Sequence, residues 1–247
     1  MKKVLLIGFF LLVLSACNLP ASTRADETPL TQTPLTTPGT AATSQAIAPT
    51  ETIVPSPTPE PFPLFFTDEF DTESSYWEFL QTGGASAPTT TVQNGTLRID
   101  LSSPDTWLIG IHNANTYENV FVHTTATVSP TGAVGLICRY SEDGWYEFDA
   151  ASDGNYSLLL GQWLSEGVVK YVPIVTDVSN KLTETTTNEV GIFCQDNFVQ
   201  LYVNDTMINR VEVTNYGLAE GHIGISAASL KDAATSVIFE KIQSSAE

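Results

Sequence analysis

From Phe65 onward the chain is written in short segments whose apolar residues recur at every second position, separated by polar dipeptides that favour tight turns. The segments are GTLRIDL (95–101), VFVHTTATV (120–128), AVGLICRY (133–140), WYEFDA (145–150), NYSLLL (155–160), EVGIFC (189–194), FVQLYVN (198–204), RVEVT (210–214), HIGISAA (222–228) and SVIFEKI (236–242). Between them stand Asn94-Gly95, Asp143-Gly144, Asp153-Gly154, Asp196-Asn197 and Asn204-Asp205, pairs that tolerate the backbone of short hairpin turns. Hardly any stretch carries the period of a helix. Strands with one apolar face must pair that face with another sheet to bury it. The pattern therefore predicts an all-β domain over residues 64–247, a two-sheet antiparallel sandwich of the jelly-roll kind.

The residues ahead of that domain have a different composition. Lys2 and Lys3 precede an apolar run from Val4 to Leu14, and Ser15 and Ala16 lead into Cys17. The run is shorter than the roughly 20 residues a permanent membrane helix requires, so residues 1–16 have the layout of a signal peptide. The tetrad Leu14, Ser15, Ala16, Cys17 resembles the bacterial lipobox, which implies cleavage before Cys17 and diacylation of its thiol. Buried acyl chains contribute about 0.8 kcal/mol per methylene, so two or three of them hold a domain durably at a bilayer surface. The expectation is an exported protein, lipid-anchored on the extracytoplasmic face of a bacterial membrane. Residues 17–63 are dominated by Thr and Pro, as in TPLTQTPLTTPGT and VPSPTPEPFP. Such a stretch buries too little apolar surface to offset its ordering entropy and reads as a disordered linker.

Residues 64–247 hold 24 acidic and 7 basic side chains, a net of −17 out of −18 for the chain. A surface this acidic repels nucleic acid and anionic lipid headgroups, which argues against both as direct partners and leaves neutral glycans and cations. Once Cys17 carries lipid, Cys138 and Cys194 form an even pair in an oxidising compartment and are predicted to be a disulfide, with two separate buried thiols as the alternative. Neither CxxC spacing nor a histidine cluster accompanies them, as a metal site would require.

The opening FTDEFDTESSYWEF, the hairpin VQNGTLRIDL, the stretch GLICRYSEDGWYEFDAASDGNYSLL, the segment VGIFCQDNFVQLYVND and the closing GHIGISAAS together resemble the concanavalin A-like lectin/glucanase superfamily. The likeness is nearest to the bacterial branch with the LamG-like domains and the DUF1080, 3-keto-disaccharide hydrolase-like domains. The resemblance implies a curved sandwich whose concave sheet binds glycans in many relatives. It also admits calcium, which LamG-like relatives hold with carboxylates and carbonyls. The turns SEDG (141–144) and ASDG (151–154) offer such oxygens.

Alternation sorts the candidate site residues. Tyr146 and Phe148 share one strand face and are assigned to the core, while Trp145, Glu147 and Asp149 share the other. Leu136 and Cys138 lie opposite Arg139, and Ile192 and Cys194 lie opposite Gln195. If the two cysteines face the core from neighbouring strands, then Arg139, Trp145, Glu147, Asp149 and Gln195 converge on one outer surface. An aromatic ring stacks on a sugar's apolar face there, and carboxylate, guanidinium and amide groups fix its hydroxyls. A solvated face with an Arg139–Glu147 or Arg139–Asp149 cross-strand pair is the structural alternative.

The triplet Glu147-Phe148-Asp149 begins like the ExDxE or ExDxxE strand of the related family 16 glucanases. Retaining glycoside hydrolysis needs two carboxyl groups about 5 Å apart, and Ala151 and Ser152 stand where the second glutamate of that motif would be. His112, His123 and His222 are scattered without ligand spacing, and no GxSxG, P-loop or GxGxxG is present. The leading expectation is a surface-anchored module that binds a polysaccharide or glycoconjugate without catalysis. A glycoside-processing enzyme of the 3-keto-disaccharide hydrolase type and an envelope protein-interaction module are its rivals.

Overall fold

A computed structural model describes residues 61–183, 186–230 and 234–246. The signal peptide, Cys17 and the linker as far as residue 60 lie outside them. Fifteen strands run through the described residues: β1 (Thr67–Asp68), β2 (Trp77–Gly83), β3 (Thr89–Gln93), β4 (Thr96–Leu101), β5 (Thr106–Tyr117), β6 (Val120–Ser129), β7 (Ala133–Ser141), β8 (Gly144–Ala151), β9 (Asn155–Ser165), β10 (Val168–Val178), β11 (Thr187–Gln195), β12 (Phe198–Val203), β13 (Thr206–Glu212), β14 (Gly221–Ala228) and β15 (Thr235–Ser245). They form two antiparallel sheets. One has the order β13-β12-β11-β6-β15-β4-β3, with β1 also on β15, and the other the order β10-β9-β8-β7-β14-β5-β2. This is the jelly-roll sandwich that the alternating pattern predicts.

Turn chemistry sets the registers. Gln93 pairs with Thr96 across Asn94-Gly95, and Val203 pairs with Thr206 across Asn204-Asp205. Asn94, Gly95, Asn204 and Asp205 all have positive φ, between 48° and 70°, as a two-residue hairpin with the right twist requires. Strand β5 departs from simple alternation because its middle is buried on both sides: Leu108 joins the core between the sheets, whereas Ile109 and Ile111 join a second cluster. Strand β10 carries Pro173 and register shifts, which an edge strand tolerates because one row of its amides has no partner strand.

The main core fills the space between the sheets. Tyr146, Phe148, Leu136, Leu158, Val190, Ile192, Leu201, Val237 and Phe239 are all fully buried in it. Cys138 on β7 and Cys194 on β11 form a disulfide there, with Cα atoms 6.5 Å apart. Because β7 and β11 belong to different sheets, the bond ties the two layers together.

Candidate functional site

Register places Trp145, Glu147, Asp149 and Ala151 of β8 on the outer, concave face of the seven-stranded sheet. Gly135 and Ile137 of β7, Ser226 of β14, Trp107 and Ile109 of β5, and Tyr171 of β10 share that face by the same pairing. The face is not an open trough. Edge strands β10 and β2 approach closely enough for Val169 N–H to donate to Thr82 Oγ1 at 3.3 Å. Side chains fill the curl behind this contact. Trp145 is fully buried among Ile109, Ile111 and Ile137. Its ring lies 5.3 Å from Tyr140, 5.6 Å from Trp163 and 6.1 Å from Tyr171, distances at which offset and edge-on rings attract.

Glu147 lies at the inner end of this plug, with no exposed surface. Its Oε2 accepts the Trp145 indole N–H at 2.8 Å and its Oε1 accepts the Ser226 hydroxyl. Two donors thus replace the water that burial removes from the carboxylate. Gly135 makes the approach feasible: a Cβ at that position would collide with Ser226 Oγ and Asp149 Oδ1 and would lie 3.3 Å from Glu147 Oε1. Burial first, and the neighbouring Glu147 carboxylate second, push the Asp149 carboxyl well above the ordinary carboxylate range. Asp149 Oδ1, Trp107 Nε1 and Tyr171 OH make no well-aligned hydrogen bond, but they face one another and their neighbours: Trp107 and Ser226 lie within reach of the Asp149 carboxyl, and Tyr171 within reach of Glu147. The Trp107 and Tyr171 rings are 6.0 Å apart.

Beyond Asp149 the same face bears Ala151, Ala133 and Ala228. Ser152 does not stand in for a carboxylate, because its hydroxyl accepts from Gly132 N–H at 3.2 Å. Glu78 also faces this side by register, but on the edge strand β2, where it is exposed. Two carboxyl groups therefore sit side by side on one strand, Glu147 held by two donors and Asp149 pushed well above the ordinary carboxylate range, with Ala151 and Ser152 after them.

Arg139 and Gln195 are not brought to this face. Arg139 follows Cys138 at a break in the β7–β8 register and has φ +55°, so strand alternation does not govern its direction. It is buried at one end of the sandwich, where it donates to the carbonyls of Glu118, Leu218 and Asp196 at 2.7–3.2 Å. It joins three connections as a clamp and borders a cavity of about 620 Å³ lined also by Asn119, Thr214 and Glu220. The expected convergence with Glu147 or Asp149 fails for that reason. Gln195 lies on β11 in the other sheet. The disulfide faces inward from both sheets, so residues opposite its two cysteines point to opposite sides of the molecule. Convergence with Gln195 requires the two cysteines to sit on neighbouring strands, and they sit instead on strands of different sheets.

Trp107, Tyr171 and Ser226, which complete the concave cluster, were not singled out by sequence as ligands. Their signal is a register known only once β5, β10 and β14 are paired. The turn oxygens at 141–144 and 151–154 make local bonds, as in Asp153 Oδ1 accepting from Asn155 N–H at 3.0 Å. Among the described residues no group of three or more His, Cys, Asp or Glu side chains converges in the manner of a metal site.

No family model matches the chain, and no curated protein matches it in sequence. Solved structures do match it in shape. A native glycosidic hydrolase superposes with a TM-score of 0.53 at 13% identity, covering 74% of this chain and 96% of that one. A β-1,3-1,4-glucanase (lichenase) from a mouse hindgut metagenome gives 0.52 at 11% identity, covering 74% and 99%. A family 16 enzyme from the mixed linkage glucan locus of Bacteroides ovatus, in complex with its product, gives 0.51 at 8% identity, covering 73% and 99%. At these identities the likeness establishes the architecture alone: a concanavalin A-like jelly roll, shared with family 16 glucanases.

Proposed function

We propose that this chain is a glycan-binding module that does not cleave its ligand, displayed on the outside of a bacterial membrane through a lipid on Cys17. The observation that carries the reading is the cluster of Trp107, Tyr171 and Asp149, each partly exposed, beside Trp145 and Glu147 on the concave face. A sugar suits this arrangement. Its hydroxyls both donate and accept, and its C–H face stacks on an indole or phenol ring. Ala151 and Ser152 stand where the family 16 motif has its second glutamate, which argues against retaining hydrolysis by that pair. The shared architecture with enzymes that act on glucans supports a polysaccharide as the ligand class.

The pair of adjacent carboxyl groups, Glu147 and Asp149, with Asp149 pushed well above the ordinary carboxylate range, favours one second reading, glycoside processing of the 3-keto-disaccharide hydrolase type. Screening the full chain on a glycan array, with ligands checked afterwards for cleavage, separates the two. Selective retention of intact glycan, weakened about tenfold by Trp107→Phe or Asp149→Asn, is the expected result, a loss of about 1.4 kcal/mol. Released product would establish the enzyme reading. Silence on every glycan would overturn both.

A further inference from the structure

On the far side of the sandwich, the outer face of the eight-stranded sheet carries a groove of about 540 Å³ across β6, β11 and β12. That volume is in the range of small-molecule sites, roughly 300–1,000 Å³. Its floor is aromatic. The Phe121 ring meets Phe193 edge-on at 5.8 Å and Tyr202 at 5.3 Å, and stacks on His123 at 5.2 Å. Gly191 is what lets this ring lie flat: a Cβ there would come within 2.8 Å of Phe121 Cε2 and 3.4 Å of Tyr202 Cβ. The polar groups are arranged around the rings. Glu189 Oε1 pairs with His123 Nδ1 at 2.9 Å, the Tyr202 hydroxyl donates to Gln200 Oε1 at 3.0 Å, and Gln195 and Asp205 are exposed on the margin. No Lys or Arg is among the residues lining the groove.

We infer that this groove is a second saccharide site, built for a neutral or amine-bearing oligosaccharide chain lying across the three strands. Alternating ring faces with amides and carboxyls match a ligand that is apolar on its ring faces and hydroxylated at its edges. Arg210, which pairs with Gln200 across β12 and β13, stands at the margin with its guanidinium 3.6 Å over the Phe198 ring. The lining's own charges are therefore the carboxylates of Glu189 and Asp205, which disfavour sulfated and uronate-bearing chains. The inference rests on the glycan-binding reading for its ligand class but uses none of the concave-face residues. Two sites on opposite faces would let one anchored domain hold two chains, or two stretches of one chain, with the gain in avidity that linked binding gives.

Tryptophan emission separates the sites, because none of the four tryptophans lines this groove, whereas Trp107 and Trp145 lie on the concave face. The test is calorimetric titration of the full chain with neutral β-1,3-1,4-gluco-oligosaccharides and chito-oligosaccharides, a sulfated galactan oligosaccharide serving as control and emission recorded in parallel. The Trp107→Phe/Asp149→Asn double variant should still bind neutral oligosaccharide, with heat but no change in emission. Tyr202→Ala or Gly191→Ala should weaken that remaining binding about tenfold with unchanged circular dichroism, and Tyr202→Phe, which keeps the ring, should retain it. Preference for the sulfated control would overturn the assignment, as would full affinity in both groove variants. Loss of all binding in the concave double variant would reject the groove and leave the concave reading standing. Loss only in the groove variants would do the reverse.

Discussion

At the scale of single residues, the concave site is governed by what burial does to two neighbouring acids. Glu147 has both oxygens occupied by donors, while burial first and the Glu147 carboxylate second push the Asp149 carboxyl well above the ordinary carboxylate range. A folded-state pKa above the unfolded one makes folding favour the proton. That contribution is complete below the unfolded value near 4 and is lost as pH rises toward the folded value. Asp149→Asn, which cannot ionise, is therefore expected to melt higher than the parent at pH 7 by roughly 2–4 °C, the shift of about 1 kcal/mol in a domain of this size. The gap should close as pH falls to 4, and a melting series across that range checks it; a gap independent of pH would sink the upward shift. The Glu147–Asp149 pairing was legible in the sequence because i and i+2 on a strand share a face. Arg139 was not, because a register break and a positive φ detach its direction from the alternation.

At the scale of elements, the hairpins β3–β4, β11–β12 and β12–β13 follow from the chain itself, since each closes on a dipeptide that accepts left-handed backbone. Strand β5 was harder to place, its central run being apolar on both faces, and so was β10, whose Pro173 and register shifts blur the period. The disulfide had a sequence basis in the cysteine count, but its geometry did not. Linking β7 to β11 across the core rather than along one sheet sends Gln195 to the groove side and Glu147 to the concave side. A bond closing 56 residues of sequence separation constrains the unfolded chain strongly. Cys138→Ala/Cys194→Ala is expected to lower stability by about 2–4 kcal/mol, read as a shift in urea midpoint that reduction of the parent reproduces. No shift on reduction would mean that the bond does not bear on folding.

At the scale of the whole molecule, curvature decides how much of the concave face stays open. The seven-stranded sheet curls until β10 and β2 meet, with Trp145 fully buried behind that contact and Trp107, Asp149 and Tyr171 left partly exposed. The flatter aromatic groove is left on the other sheet. On the reading proposed above, a lipid on Cys17 anchors the domain. Cys17→Ser is expected to move the protein from the membrane fraction to the soluble extracytoplasmic or secreted fraction, with the domain still folded. Retention of the variant at the membrane after a high-salt wash would point to another anchor. The amino-acid sequence by itself determined the fold class, the faces of regular strands such as β8 and the hairpin turns, because period and turn propensity are local properties, and an even cysteine count favoured the pairing. Only the tertiary structure decided which faces share a side of the molecule, which donors surround Asp149 and where an aromatic floor stays open. Those depend on which sheet each strand joins and how far that sheet curls, and both are set by pairings between residues far apart in the chain.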